Sequence, residues 1–143
     1  MSRIETVQPG DKLPERMFEP NTIQLFLYNA ALWNAHRIHF DYPYATDEEK
    51  YPGLVIPGPL MGDWLTQCVL EWLGDDGVLT TISYTNRKYS CVGESLRSEG
   101  KVLSVDPDTR EVEIEVNVRG INDRIITPGQ ALARFNKKRG RRS

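Results

Sequence analysis

The amino-acid sequence predicts an α+β fold in which an antiparallel sheet packs against one long apolar helix. Large apolar residues follow helical spacing between positions 59 and 74. The second half of the chain alternates apolar and polar residues in the manner of strands. With 143 residues, of which 39% are hydrophobic, the chain is long enough to form one core. We therefore expect a single domain over residues 1–143, with a basic tail from about residue 136.

The first regular element is predicted to be a helix that begins near Asn21 or Thr22, since either side chain can cap the free amides of a first turn. Apolar residues then recur at i, i+3, i+4, i+7 and i+8: Ile23, Phe26, Leu27, Ala30 and Ala31. This spacing predicts that these five residues form the buried face of the helix.

The segment from Trp33 to Pro59 has no regular period and is rich in Pro, Gly and Tyr. We expect an ordered irregular loop, the kind of segment that often carries function. A second helix should run from Pro59 to Gly74, because proline suits the first helical position and glycine a helix end. Its apolar residues are distributed over nearly all sides of the helix, so we expect the rest of the fold to enclose it.

Four strands are predicted in the second half, at Val78–Lys88, Glu94–Val105, Arg110–Gly120 and Arg124–Phe135. In the third, four apolar residues alternate with three polar ones, which indicates a sheet with one solvated face: Val112, Ile114, Val116 and Val118 against Glu113, Glu115 and Asn117. Asp106–Thr109 reads as a turn between two strands. Pro128 and Gly129 indicate a bulge in the last strand, or its beginning.

Composition and charge indicate a globular cytoplasmic protein without a nucleic-acid or membrane partner. The net charge is −2, and the two cysteines, Cys68 and Cys91, do not suggest a disulfide framework. The first ten residues lack the apolar core of a signal peptide, and no apolar run is long enough to span a membrane. The basic residues between Arg134 and Arg142 are interpreted as a solvated terminus or, alternatively, as a contact for an anionic ligand.

Both histidines of the chain lie in the nine residues from Trp33 to Asp41, directly after the first predicted helix. Three interpretations are open. The histidines can be hydrogen-bonded loop residues, or His36, His39 and Asp41 can bind a metal such as zinc or iron. They can also perform acid–base catalysis, because histidine titrates near neutral pH.

The stretch Trp-Asn-Ala-His-Arg-Ile-His-Phe-Asp at 33–41 resembles the signature Asp-x-Asn-Pro-x-His-x-Asp of the MaoC-like family of R-specific enoyl-CoA hydratases and hydroxyacyl dehydratases. His39 and Asp41 match that signature. Asn34 stands where the family has its catalytic Asp, His36 replaces its Asn and Arg37 its Pro. The stretch is similar to a branch that includes mesaconyl- and itaconyl-CoA hydratases.

Two further segments support the resemblance weakly. Residues 53–61 resemble the segment that leads into the family's central helix, although Pro57 stands where a His is common. Residues 86–94 resemble the family's Arg-Phe-x-x-Pro-Val-x-x-Gly-Asp turn, with Cys91 near the usual Pro. Together the three segments imply a hotdog fold, in which an antiparallel sheet wraps around the central helix.

The resemblance implies a hydro-lyase that adds water to a 2-enoyl thioester or removes it from a 3-hydroxyacyl thioester. His39 would be the general acid and base, with Asn34 fixing the water and His36 sharing the proton transfer or serving as a hydrogen-bonder. Free amides of the central helix, at Gly58, Leu60 and Met61, would stabilise the oxyanion. Arg37 and Arg87, with Lys88, would contact the phosphates of the acyl carrier. No cofactor and no metal is implied.

Other functions remain open from the sequence alone. A non-catalytic subunit of a heteromeric dehydratase is one, because hotdog folds pair and Asn34 departs from the family. A hotdog thioesterase is another, although only Asp63 could supply its carboxylate. We expect a homodimer, or a heterodimer with a second hotdog subunit, since a single layer leaves a sheet edge open. Whether the thioester is of coenzyme A or of acyl carrier protein is open, as are acyl chain length and direction.

Overall fold

A computed structural model describes residues 3–137 of the chain. Its regular elements, in chain order, are β1 (Lys12–Phe18), α1 (Thr22–Ala31), α2 (Gly58–Leu73), β2 (Gly77–Tyr84), β3 (Leu96–Asp106), β4 (Glu111–Arg119) and β5 (Ile125–Phe135). The predicted basic tail lies outside the described residues from Lys138 onward. The described helices include none with the length and apolar character needed to cross a membrane.

The five strands form one antiparallel sheet in the order β1-β3-β4-β5-β2, so β1 and β2 lie at its edges. The four predicted strands are present, although β2 ends at Tyr84 rather than Lys88. The alternation predicted for β4 is confirmed for its four buried apolar residues and for Glu113 and Glu115. Asn117 was expected on the solvated face, but it is only 5% exposed.

The sequence did not predict β1, in which Pro14 interrupts a short and irregular apolar pattern. The strand pairs with β3 through a shift of register between Leu13 and Arg16. Its last residue, Phe18, stacks on Trp64 of α2 with the ring centroids 4.1 Å apart. β1 therefore helps to hold the central helix against the sheet.

The bulge expected at Pro128 and Gly129 is not there, because both residues pair with β4 in unbroken register. The register shifts nearer the start of β5, at Ile126, which lies between the paired residues Ile125 and Thr127. Gly129 instead marks a close approach of two strands. A Cβ atom at this position would lie 2.7 Å from the backbone oxygen of Ser83.

Helix α2 begins and ends as the sequence predicts, with proline in its first turn and Gly74 at its end. One side is buried against the sheet: Leu60, Met61, Trp64, Leu65, Cys68, Val69 and Leu73. The expectation of complete enclosure is wrong in the single chain. The opposite side, which includes Asp63, Gln67 and Leu70, is exposed, and Leu70 keeps 48% of its surface in solvent.

Helix α1 begins as expected, because the Asn21 side chain accepts a hydrogen bond from the amide of Gln24 at 2.8 Å. The predicted buried face is wrong. Ile23, Phe26 and Leu27 are each more than half exposed, and Ala30 and Ala31 are exposed as well. The helix packs on the rest of the domain through Leu25 and Asn29, which lie next to the predicted face. Its wider apolar side therefore faces outward.

Candidate active site

The histidine-bearing segment forms a short 3-10 turn, Arg37–His39, that is bound to the chain just before α2. The amide of Val55 donates to the carbonyl of Ile38 at 2.9 Å. The Nδ1 atom of His39 lies 2.7 Å from the carbonyl oxygen of Val55. Because a carbonyl oxygen can only accept, Nδ1 carries the hydrogen, and neutral His39 has its lone pair on Nε2. The ring therefore presents a base at Nε2.

Burial lowers the pKa of His39 below its ordinary value, because an imidazolium loses hydration in a protein interior. The side chain is only 7% exposed. The hydrogen bond to Val55 acts in the opposite direction, and the nearby His36 lowers the pKa further. His39 is thus a neutral base near pH 7.

His36 lies beside His39 without sharing its environment. The two rings meet edge to face with their centroids 5.5 Å apart, and His36 is exposed where His39 is buried. The arrangement brings together the two histidines predicted to act on the proton. Among the residues that the structure describes, only His39 of the two has a backbone partner that fixes its tautomer.

Asn34 uses its side-chain oxygen within the loop, where Oδ1 accepts a hydrogen bond from the backbone amide of His36 at 3.0 Å. Its own amide donates to the carbonyl of Asn29 at 2.9 Å, just after the end of α1. The remaining polar group of the side chain is the Nδ2 donor. Asn34 can therefore orient a water molecule through Nδ2 or through the second lone pair of Oδ1, but an amide does not take up a proton near neutral pH.

Arg37 and Asp41 form an ion pair one helical turn apart. Both Nε and one terminal nitrogen of Arg37 donate to Asp41 Oδ2, at 3.0 and 2.9 Å, and the guanidinium lies over the Tyr44 ring. The Arg37 hydrogen bond is the main cause of the lowered pKa of Asp41. Asp41 is thus engaged by arginine. Among residues 3–137, no three His, Cys, Asp or Glu side chains come together as a metal site would require.

The start of α2 offers fewer free amides than the sequence suggested. The amides of Leu60 and Met61 both donate to the carbonyl of Pro57, at 3.1 and 3.4 Å. Their hydrogens are already in use, which leaves less reason to assign these two amides to an oxyanion. Gly58, by contrast, has an amide with no acceptor in the part of the chain that the structure describes.

Asn86, which the sequence analysis did not single out, lies directly against Gly58. A methyl group on Gly58 would overlap the side-chain amide of Asn86. The buried hydroxyl of Thr127 donates to Asn86 Oδ1 at 2.9 Å, which fixes the orientation of that amide. The Nδ2 donor of Asn86 then faces the start of α2. The only sequence signal was its place before Arg87, in the segment that resembles the family's strand turn.

Arg87 and Asp63 complete the set of predicted positions. Arg87 is exposed and follows Asn86, and its backbone amide donates to Ile126 at 3.0 Å. The carboxylate of Asp63 accepts a hydrogen bond from Tyr28 of α1 at 2.9 Å. Asp63 thus links the two helices, which leaves less reason to assign it a nucleophilic role in a thioesterase.

A cleft of about 330 Å³ opens beside this segment. Its lining comes from the end of α1 and the loop that follows: Phe26, Asn29, Ala30, Trp33, Asn34, Ala35 and Phe40. The cleft is mainly apolar; Asn34 contributes a polar side chain, whereas the polar atoms of the Asn29 side chain are inaccessible. Its lining includes residues on either side of the histidines, but neither His36 nor His39 lines it.

The sequence model of the family described as hydroxyacyl-thioester dehydratase type 2 matches residues 2–92, well over half of the chain. The chain belongs to this family. The match includes α1, the histidine segment, the start of α2 and Asn86. The predicted relationship to hydratases and dehydratases that act on thioesters is therefore confirmed.

Two curated relatives of this dehydratase-family chain are similar over part of their length. Mesaconyl-C(4)-CoA hydratase of Chloroflexus aurantiacus is 54% identical over 92 residues, which are 64% of this chain and 28% of that protein. The mitochondrial hydroxyacyl-thioester dehydratase type 2 of Schizosaccharomyces pombe is 51% identical over 45 residues, or 32% of this chain and 15% of that protein. The chain thus spans less than a third of either relative.

Solved structures confirm the predicted hotdog fold. The (R)-hydratase from A. caviae superposes with a TM-score of 0.84 at 14% identity, over 92% of this chain and 99% of that one. A MaoC-like dehydratase superposes with a TM-score of 0.85 at 23% identity, over 93% of this chain and 42% of that one. The ChsH1-ChsH2 complex from Mycobacterium tuberculosis gives 0.80 at 12% identity, over 90% and 98%. At these identities the likeness shows the fold alone.

Proposed function

We propose that the protein is a hydro-lyase that interconverts a 2-enoyl thioester and a 3-hydroxyacyl thioester. The observation that carries the proposal is the hydrogen bond between His39 Nδ1 and the carbonyl of Val55, which leaves Nε2 as a base. The names of the two curated relatives, a hydratase and a dehydratase of thioesters, support the same reaction class.

In the direction of hydration, His39 Nε2 takes a proton from water as the water oxygen bonds to the β-carbon. The electron pair of the double bond moves towards the thioester oxygen, and His39 then returns the proton to the α-carbon. One residue can serve both steps, since the imidazolium formed in the first is the acid of the second. Positioned acid–base catalysis of this kind contributes about 10² to 10⁴ in rate.

Asn34 holds the attacking water through its Nδ2 donor, while its Oδ1 accepts a hydrogen bond from the amide of His36. This assigns orientation, and not proton transfer, to the position where the MaoC-like signature has aspartate. His36 is exposed, and burial followed by the charge of His36 lowers the pKa of the base. Proton transfer is therefore assigned to His39 alone.

The oxyanion that develops on the thioester meets the unpaired amide of Gly58 and the Nδ2 donor of Asn86. Gly58 begins α2, so the positive end of the helix dipole adds to the field at this position. Val55, which holds His39, lies only three residues earlier in the chain. Each preorganised donor of this type contributes about 2.7 to 4 kcal/mol to transition-state stabilisation.

The carrier of the acyl group, coenzyme A or acyl carrier protein, bears phosphate. We assign its recognition to Arg37 and Arg87, with Lys88, all of which are exposed. Arg37 reaches a phosphate by its solvent-facing edge, since its Nε and one terminal nitrogen are bound to Asp41. Arg87 follows Asn86, so it lies near the proposed oxyanion donors.

A second copy of this chain, or another hotdog subunit, completes the protein. Within residues 3–137, β2 has an unpaired edge, and the outer side of α1 presents exposed apolar residues. Neighbouring folds are named as complexes of two different chains, ChsH1-ChsH2 and HadBC. The proposed location is the cytoplasm.

An alternative function is that of a non-catalytic subunit in such a pair, and the observation that favours it is the engaged Oδ1 of Asn34. The purified chain should be assayed on a panel of acyl-CoA thioesters for loss of the enoyl chromophore and for release of free thiol. Hydration without thiol release supports the hydro-lyase. Inactivity of the purified chain together with activity of a co-expressed pair supports the alternative, and thiol release as the main reaction contradicts both.

A further inference from the structure

Residues 54–56 form a buried segment between the histidine turn and the loop that follows β2. On one side, the amide of Val55 donates to the carbonyl of Ile38 at 2.9 Å, and the carbonyl of Val55 accepts from Nδ1 of His39 at 2.7 Å. Val55 is only 6% exposed, so water has little access to compete for these bonds. The orientation of the His39 ring therefore depends on where this segment lies.

The other side of the segment is bonded to residues 90–94, which we call the support loop. The amide of Ile56 donates to the carbonyl of Ser90, and the amide of Val92 donates to the carbonyl of Leu54, both at 2.9 Å. The two bonds lie on either side of the residue that binds the histidine ring. They hold the segment, and with it the carbonyl that accepts from the ring, against the support loop.

One peptide group connects the support loop directly to the histidine. It consists of the carbonyl of Val55 and the amide of Ile56. The carbonyl accepts from His39, while the amide donates to the carbonyl of Ser90. Hydrogen bonds in such a chain polarise one another, so the bond to Ser90 makes the Val55 carbonyl a better acceptor. A shift of the Ser90 carbonyl would weaken the bond that keeps the hydrogen of His39 on Nδ1.

The side chain of Ser90 fixes the support loop from within. Its hydroxyl, which is fully buried, donates to Oε2 of Glu94. The amide of Glu94 donates to the carbonyl of Cys91 at 3.2 Å, and Gly93 has a φ of +101°, so the chain turns tightly between the serine and the glutamate. Among residues 3–137, Glu94 forms no ion pair. Its carboxylate therefore serves the Ser90 hydroxyl and not a cation.

We propose that Ser90 and Glu94 are positioning residues for His39. Their hydrogen bond holds the Ser90 carbonyl against the amide of Ile56, and this keeps the carbonyl of Val55 on Nδ1 of the histidine. This inference rests on the proposed hydro-lyase function. The pair maintains the tautomer in which Nε2 is free to take a proton, whereas a histidine side chain in water exchanges between its two neutral tautomers. Neither residue needs to touch the substrate to have this effect.

The tautomer of His39 is a readout that a merely structural role of the pair would not change. The chain has two histidines, so nitrogen NMR of the full chain gives few ring signals, and His36→Ala assigns them. At about pH 8, where histidine is neutral, His39 of the wild type should carry its hydrogen on Nδ1. Ser90→Ala and Glu94→Ala should each show a mixture in which Nε2 carries part of the hydrogen.

Turnover should fall in the same two variants. On one enoyl-CoA thioester, kcat should drop by about 10- to 100-fold, the order of loss that misplacement of a catalytic group causes, while KM changes by less than about 3-fold. Glu94→Gln keeps an oxygen that can accept from the Ser90 hydroxyl. It should therefore recover most of the kcat that Glu94→Ala loses, together with the wild-type tautomer.

Ser104→Ala is the matched control. The hydroxyl of Ser104 donates to the carboxylate of Glu113 at 3.1 Å, between the exposed sides of β3 and β4. The substitution thus removes a serine–glutamate hydrogen bond that has no link to the histidine turn. Both kcat and the tautomer of His39 should stay as in the wild type.

The inference is overturned if Ser90→Ala and Glu94→Ala keep the wild-type tautomer or the wild-type kcat, even with a lower Tm. It is also overturned if Glu94→Gln loses as much kcat as Glu94→Ala. If Ser90→Ala does not fold, the two variants of Glu94, a half-buried residue, decide the matter. Failure of the proposed function looks different, because the wild type would then hydrate none of the thioesters, alone or with a co-expressed partner, whatever the tautomer of His39.

Discussion

At the scale of single residues, the site depends on which hydrogen-bonding groups are already in use. The carbonyl of Val55 occupies one nitrogen of His39 and so leaves the other as a base. The oxygen of Asn34 accepts from the amide of His36, and its Nδ2 is a further donor. The roles proposed for these residues follow from the group that remains in each case.

Activity should depend on pH through the deprotonation of His39. The base must be neutral to accept a proton, so kcat/KM should rise with pH and level off once His39 is deprotonated. Because burial lowers the pKa of His39, the midpoint should lie below about 6.5, the ordinary value for histidine. The profile of kcat/KM on one enoyl-CoA thioester between pH 4.5 and 8 measures this. A midpoint above the ordinary value would contradict the proposed environment.

Asn86 should matter for turnover more than for substrate binding. Removal of a preorganised oxyanion donor costs about 10² to 10³ in kcat, so Asn86→Ala should lower kcat by that order while KM changes less than about 3-fold. Thr127→Val, which removes only the hydroxyl that orients Asn86, should give a smaller fall in kcat. An unchanged kcat in Asn86→Ala, with wild-type folding by circular dichroism, would remove Asn86 from the mechanism.

At the scale of elements, the first and last residues of the helices could be predicted from the sequence. The side of each helix that is buried could not. Asn21, Pro59 and Gly74 are local signals, and they determine where α1 and α2 begin and end. Which row of α1 is buried depends on what packs against it. The rows that contain Phe26 and Leu25 are adjacent, and only the tertiary structure buries the second.

The same distinction applies to the site. His39 could be found because both histidines lie in one short segment that matches a signature. Asn86 could not, since its importance comes from contacts with residues far along the chain. The misplaced bulge has a related cause. Pro128 and Gly129 are turn-formers by composition, but Gly129 is there because Ser83 of β2 comes too close for a side chain.

Gly129→Ala tests this account of β5. The new Cβ would meet the backbone of β2, which cannot move without loss of strand pairing, so the free energy of unfolding should fall by about 1 to 3 kcal/mol. Gly53→Ala is a suitable control, because the nearest atom to its Cβ would be at an ordinary contact distance of 3.7 Å. Urea denaturation of both variants measures the free energy of unfolding. Equal stabilities would show that the close approach of β2 does not require glycine at position 129.

At the scale of the whole molecule, the single chain leaves surfaces that a folded pair would cover. The edge of β2 is unpaired, and Ile23, Phe26 and Leu27 expose much of their apolar surface on α1. The exposed side of α2, which includes Leu70, adds to this surface. The single-domain organisation over residues 1–143 stays a prediction, as does the role of the basic tail.

The mass of the protein in solution should be that of a dimer, alone or with a co-expressed hotdog subunit. Thr81→Lys combined with Ser83→Lys places charges along the β2 edge, which disfavours pairing between edges, and should yield a monomer. Ser104→Lys, on an exposed position of β3, is the control and should leave the mass unchanged. Light scattering after size-exclusion chromatography measures the masses. A wild-type monomer that remains fully active would contradict the need for a partner.

The assignment of the proton transfer to His39 is tested most directly by comparing two histidine variants on one enoyl-CoA thioester. With His39→Ala, kcat/KM should fall by about 10² to 10⁴, whereas His36→Ala should stay within about 3-fold of the wild type. Both variants should first be shown to be folded by circular dichroism. Near-wild-type turnover in His39→Ala, or an equal loss in both variants, would contradict the proposed mechanism.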